Sequence, residues 1–85
     1  MKEDEWTTFA RELGVRLQQA RQRKGLSQER VAHLAGVAGF TYQKFEKGES
    51  RPGAAMNPRL QTLLAVCEVL EIDVATLLEG APRLT

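Results

Sequence analysis

Between residues 13 and 51 the chain carries eight basic side chains, Arg16, Arg21, Arg23, Lys24, Arg30, Lys44, Lys47 and Arg51, against three acidic ones, Glu29, Glu46 and Glu49. That segment is net +5, whereas residues 1–12 and 52–85 are each net −2, so the formal +1 of the whole chain conceals a basic middle between acidic ends. Such a distribution fits a polyanionic partner drawn to the middle by Coulomb attraction. The competing reading is a solvated helical surface that is merely basic. Other chemistries find less support. His33 has no cysteine or carboxylate at ligand spacing, so it reads as a surface or packed histidine and no metal site is expected. Ser27 lacks a neighbouring histidine and reads as a helix cap, not a nucleophile. Cys67 falls on an apolar helical stripe and reads as a small core residue. Glu68 and Glu71 share one helix face, but no further feature makes them a site. There is no glycine-rich phosphate loop. The expectation is therefore no catalytic residue, no metal and no cofactor, and a protein that is not an enzyme.

The elements that must position the basic middle follow from periodicity. Trp6, Phe9, Leu13, Leu17 and Ala20 recur at steps of three and four, one face of a helix near 5–24 with Asp4 as cap and Gly25 as stop. On this reading Trp6 and Phe9 are core, not a ligand box. Ser27 caps a short second helix whose inward side is Val31, Ala32, Leu34 and Ala35. Its capping box is incomplete because Arg30 stands where Glu or Gln belongs. Gly36 stops that helix, and a third spans about 39–47, with Tyr42, Phe45 and Val37 inward and Gly48 at its end. Residues 48–57, GESRPGAAMN, read as one long irregular loop. Asn57-Pro58 predicts the start of a fourth helix burying Leu60, Leu63, Leu64, Cys67 and Leu70. Asp73 caps a fifth, with Val74, Leu77 and Leu78 inward, ending at Gly80-Ala81-Pro82. The fold class is all-α with five helices, without repeats or a useful strand pattern. It forms one domain over residues 1–85 with a core about 9–80 and a helix-turn-helix about 27–47.

Composition sets the remaining bounds. At 85 residues, 42% hydrophobic and 27% charged, the chain is neither disordered nor collagen-like. No apolar run reaches the roughly 18 residues of a membrane span. The acidic start lacks an apolar signal region and the lone cysteine cannot make an internal disulfide, so a cytoplasmic location without membrane association is expected. A core this small is marginal, and dimerisation would help it.

The stretch RLQQARQRKGLSQERVAHLAGVAGFTYQKFEKGE resembles the Xre-like helix-turn-helix of phage repressors and Cro proteins. The downstream NPRLQTLLAVCEVLEIDVATLLEG resembles that family's fourth and fifth helices, so the likeness covers about residues 13–80. It rests on GLSQ before the second helix, Ala32 at the small position, Gly36-Val37 at the turn, the FEKG exit of the third helix, and the later L-x-x-L-L. The resemblance implies a λ-repressor-like five-helix domain whose third helix enters the major groove of double-stranded DNA while the second lies across the backbone. It also implies an ion pair between Arg21 and Glu46, and a phosphate contact by Gln28 in the first turn of the second helix. Carried over by position, the outward residues are Ala38, Gly39, Phe40, Thr41, Gln43, Lys44 and Lys47. Gln43 can pair with adenine, Lys44 can reach guanine O6/N7 or a phosphate, and Thr41 offers a hydroxyl and a methyl. Lys47 and Arg51 suit phosphates, with Arg23 and Lys24 adding to the field.

The family often has long polar readers where this chain has Gly39 and Phe40. Phe40 touches a thymine methyl or wedges at a base step, anchors a protein partner, or folds back onto the core. The 48–57 loop is about six residues longer than the family's usual connection, either a functional segment or a harmless insertion. The implied function is a DNA-binding transcriptional regulator, a repressor acting as a homodimer, with Leu77, Leu78 and Leu84 available to pack on a second subunit. The alternative is a protein-interaction module on the same fold, an antitoxin or accessory subunit, with weak or indirect DNA binding.

Overall fold

The computed structural model describes residues 1–83. Along them run five helices, α1 (Glu3–Lys24), α2 (Gln28–Ala35), α3 (Gly39–Lys47), α4 (Leu60–Leu70) and α5 (Val74–Leu77). Between α3 and α4 lies a small antiparallel hairpin of β1 (Glu49–Arg51) and β2 (Ala54–Ala55). The hairpin replaces the irregular loop expected at 48–57. Glu49 pairs with Ala55 and Arg51 with Ala54 across a Pro52-Gly53 turn, and Gly53 adopts φ 81°. The Glu49 carboxylate accepts from the Gly53 N–H at 3.0 Å, and the Met56 N–H donates to the Gly48 carbonyl at 2.9 Å. Strands of three and two residues are too short to leave an alternating pattern in the sequence.

Two helix starts differ from expectation. α1 begins at Glu3 with Lys2 in the cap position, and no side chain caps it. Asp4 instead accepts from the neighbouring Glu5 N–H at 3.1 Å. Three carboxylates in the first turn, Glu3, Asp4 and Glu5, oppose the positive end of the helix dipole, which does the work of a cap. α4 begins at Leu60 with Arg59 in the cap position. Asn57-Pro58 comes too early because the chain is still leaving the hairpin there. Ser27 and Asp73 do cap α2 and α5, accepting from the N–H groups of Arg30 (3.0 Å) and Thr76 (3.3 Å).

The core gathers Phe9, Ala10, Leu13, Leu17 and Ala20 from α1, Val31 and Ala32 from α2, Tyr42 and Phe45 from α3, Met56 after the hairpin, Leu63, Val66, Cys67 and Leu70 from α4, and Leu77 from α5. Trp6, Ala35, Val37, Val74 and Leu78 pack against it partly buried. Leu34, Leu60 and Leu64 were expected inside but are exposed at 48%, 67% and 45%. The buried stripe of α4 runs 63, 66, 67, 70, which turns Leu60 and Leu64 outward. α2 is so short that Val31 and Ala32 fill its contact. Leu84 lies outside the described residues. Two ties to α1 hold the periphery: the Trp6 Nε1 donates to the Met56 carbonyl at 2.9 Å, and the Arg16 Nη1 donates to the carbonyls of Leu77 (2.9 Å) and Glu79 (2.6 Å). No helix among the described residues is long and apolar enough to cross a membrane.

Candidate nucleic-acid interface

The angle between α2 and α3 is set by a three-residue turn. Gly36 sits at φ 72°, a left-handed conformation that costs a residue without Cβ little. Its N–H donates to the His33 carbonyl (3.2 Å), and the Val37 N–H donates to the Ala32 carbonyl (2.9 Å), closing the end of α2. α3 then starts without a side-chain cap, held by N–H groups of Thr41 and Tyr42 on the Ala38 carbonyl.

One face of α3 is locked inward. Tyr42 is fully buried and Phe45 is 6% exposed, with their rings edge-on at 6.4 Å. Behind them α1 crosses at Gly14, where an added Cβ would stand 2.5 Å from the Glu46 carbonyl oxygen and 2.7 Å from that of Phe45. At Gly48 a Cβ would meet the Ala10 carbonyl at 2.8 Å. Nothing in the apolar periodicity marks Gly14 as special, because the reason lies on another helix.

Arg21 and Glu46 are joined by a fork of two hydrogen bonds, Nε to Oε2 at 2.6 Å and Nη2 to Oε1 at 3.0 Å. The side chains are only 14% and 4% exposed. Arg21 Nη1 also donates to the Leu26 carbonyl at 2.9 Å. Burial pushes the Glu46 carboxyl up, but the Arg21 hydrogen bond and its neighbours outweigh this and hold it below the ordinary carboxylate value. The Glu46 bond in turn raises the Arg21 guanidinium. Gln28 joins the same cluster, its Nε2 donating to Glu46 Oε1 at 2.9 Å. Its side chain is thus committed to the domain rather than simply free for a phosphate. The Tyr42 hydroxyl is buried beside this cluster with no hydrogen-bond partner among the described residues, and burial drives its phenol far above the ordinary value.

The opposite face of α3 is open. Ala38, Gly39, Phe40, Gln43, Lys44 and Lys47 are exposed and Thr41 is half-buried. Phe40 is 64% exposed, so it is not folded onto the core, and the Lys44 Nζ lies 5.3 Å from its ring centroid. Arg51 is exposed on β1. Arg23 is exposed, but Lys24 is drawn to Glu71, just past the end of α4, at 2.5 Å, a bond that lowers the Glu71 carboxyl. Two clefts border Thr41: one is shared with Lys44, Ser50, Asn57 and Pro58, the other with Asn57, Arg59 and Thr62. Arg59 therefore stands near the open face although sequence reasoning passed over it. Only its place beside Asn57-Pro58, where the sequence predicts a helix start, hinted at this. His33 is exposed, Cys67 is buried with its thiol pushed up by burial, and no cluster of metal-ligating side chains occurs among the described residues.

Comparison with known proteins agrees with this geometry. The profile of the family described as helix-turn-helix domain matches residues 12–79. An uncharacterized HTH-type transcriptional regulator of Sinorhizobium medicae (strain WSM419) is 34% identical over 70 residues, covering 82% of this chain and 46% of its own length. The SPbeta prophage-derived uncharacterized HTH-type transcriptional regulator YonR of Bacillus subtilis (strain 168) is 34% identical over 67 residues, 79% of this chain and 56% of its own length. The chain thus spans about half the length of the curated relatives it matches. The crystal structure of the restriction-modification controller protein C.AhdI from Aeromonas hydrophila is similar with a TM-score of 0.69 at 31% identity, over 80% of this chain and 94% of that one.

Proposed function

Because the chain belongs to the Xre-type helix-turn-helix family, we propose that it is a sequence-specific DNA-binding transcriptional regulator, a repressor that lays α3 in the major groove. The observation carrying this is the two-sidedness of α3: Tyr42 and Phe45 are locked into the core while Phe40, Gln43, Lys44 and Lys47 stand in solvent. Gln43 and Lys44 are the base readers, with Thr41 and the bare Gly39 backbone beside them. Lys47, Arg51 and, since the Gln28 side chain is bound to Glu46, the backbone N–H groups of the first turn of α2 at Gln28 hold phosphates. The transcriptional-regulator descriptions of the relatives, and the controller role in the name of the similar structure, support regulation as the output. As a homodimer it would meet half-sites about 34 Å apart, one turn of the duplex.

The test is binding to duplexes selected from a random pool, measured across salt concentrations. Gln43→Ala and Lys44→Ala should change base preference. Lys47→Ala and Arg51→Ala should weaken every sequence about equally, each lowering the salt slope by about one. Four variants that bind selected and random duplexes as the parent does would refute these roles. A second reading, a protein-interaction module, draws on the exposed Leu34, Leu60 and Leu64 of α2 and α4. Under that reading the purified protein leaves DNA unshifted at physiological salt.

A further inference from the structure

Phe40 and Lys44 sit one helical turn apart on the open face of α3, and the lysine ammonium rests 5.3 Å from the centre of an aromatic ring that is itself 64% exposed. A lysine on a surface normally spreads over many rotamers, and fixing it opposes binding. Here the negative face of the ring draws the ammonium in before any ligand arrives. Helical side chains lean toward the N-terminus, so the contact draws Lys44 back along α3 toward Phe40. Gly39 adds to this. A Cβ there would meet no atom within 4 Å, and Gly39 has no positive φ, so the fold does not require glycine. What the missing side chain does is leave the approach to the ring bare.

Resting on the reading of α3 as the groove-entering helix, we propose that Phe40 and Lys44 act as one unit that reads a thymine next to a guanine. The ammonium donates to guanine N7, and the ring covers the C5 methyl of the adjacent thymine. Stacked bases follow one another at about 3.4 Å. The 5.3 Å between ammonium and ring centre therefore suits neighbouring base pairs rather than a single one. Phe40 is then a positioning residue for Lys44 as well as a methyl reader. This fills the position where a long polar reader is absent.

The experiment uses the full chain. Duplexes are selected from a random pool, and the winning site is remade with uracil for the thymine or 7-deazaguanine for the guanine, each removing one recognised feature. The parent should lose about fourfold on uracil, from about 0.8 kcal/mol for one buried carbon, and about tenfold on 7-deazaguanine. Phe40→Leu, which removes the aromatic face but stays apolar, should keep part of the uracil effect and clearly weaken the 7-deazaguanine effect. Phe40→Tyr should restore both, and all three proteins should melt alike. In the free protein, the Lys44 ε-methylene protons should resonate upfield and return to ordinary positions in Phe40→Leu. Selected sites without a thymine–guanine step, or a Phe40→Leu variant as sensitive to 7-deazaguanine as the parent, overturn the proposal. If no duplex is enriched at all, the reading of α3 itself fails, even with the upfield lysine signal present.

Discussion

Replacing Arg21 with methionine keeps the aliphatic stem and removes the fork that holds Glu46. The carboxylate, 4% exposed, then loses bonds of 2.6 and 3.0 Å and keeps only the one from Gln28, while the Leu26 carbonyl loses its donor. Stranding one partner of a buried pair costs roughly 3–5 kcal/mol. A domain of this size has about 4–13 kcal/mol in total, at 0.05–0.15 per residue. Arg21→Met should therefore lower Tm by about 12 °C or more, at 4–8 °C per kcal/mol. The pH dependence gives a sharper signature. In the parent the folded-state value of Glu46 is depressed, so the pair's stability is present above its ordinary value of 4.5 and is lost as pH falls through the lower folded value. In Arg21→Met, burial dominates and raises the folded value. Stability from this group is then greatest below its ordinary value and falls as pH rises through the raised one. Urea unfolding of parent, Arg21→Met, Glu46→Gln and the double variant between pH 3 and 7 measures this. The double variant should be more stable than Arg21→Met alone, since no charge is left stranded. A single-variant loss under about 1 kcal/mol, or a double variant in which the two losses simply add, refutes the argument.

Three further substitutions test the packing around α3 and α5. Gly14→Ala places a Cβ against two backbone carbonyls and should destabilise by about 1–3 kcal/mol, whereas Gly39→Ala enters open space in a helix and should stabilise by up to about 1 kcal/mol; paired thermal melts decide both signs. Arg16→Ala removes the donor to the Leu77 and Glu79 carbonyls, so hydrogen exchange should speed up across residues 74–80 while the α3 amides keep their protection.

Much of the fold was legible because its punctuation is local. Gly36 and Gly48 end helices by their own backbone geometry, and Ser27 and Asp73 cap by their own side chains. The bounds of α3 followed from its flanking residues. What failed depended on tertiary context. Whether Leu60 and Leu64 face in or out is decided by the rotation of α4 against α2, which periodicity within one helix leaves open by about a residue. Met56 is buried because a hairpin carries it under α1, and five strand residues are too few to announce themselves. The site divides the same way. The outward face of α3 follows once Tyr42 and Phe45 are placed inside. The Gln28 bond to Glu46 and the Phe40–Lys44 contact are meetings of side chains that no spacing rule dictates.

The bond from the Trp6 indole to the Met56 carbonyl links the first turns of the chain to the end of the hairpin, fifty residues on. The chain has one tryptophan. Its emission responds to its immediate surroundings, so fluorescence will follow the seating of the hairpin on α1, while far-ultraviolet circular dichroism follows helix content. Heating the unmodified protein with both signals recorded will show whether that strap lifts off before the helices melt, with no added label to disturb either.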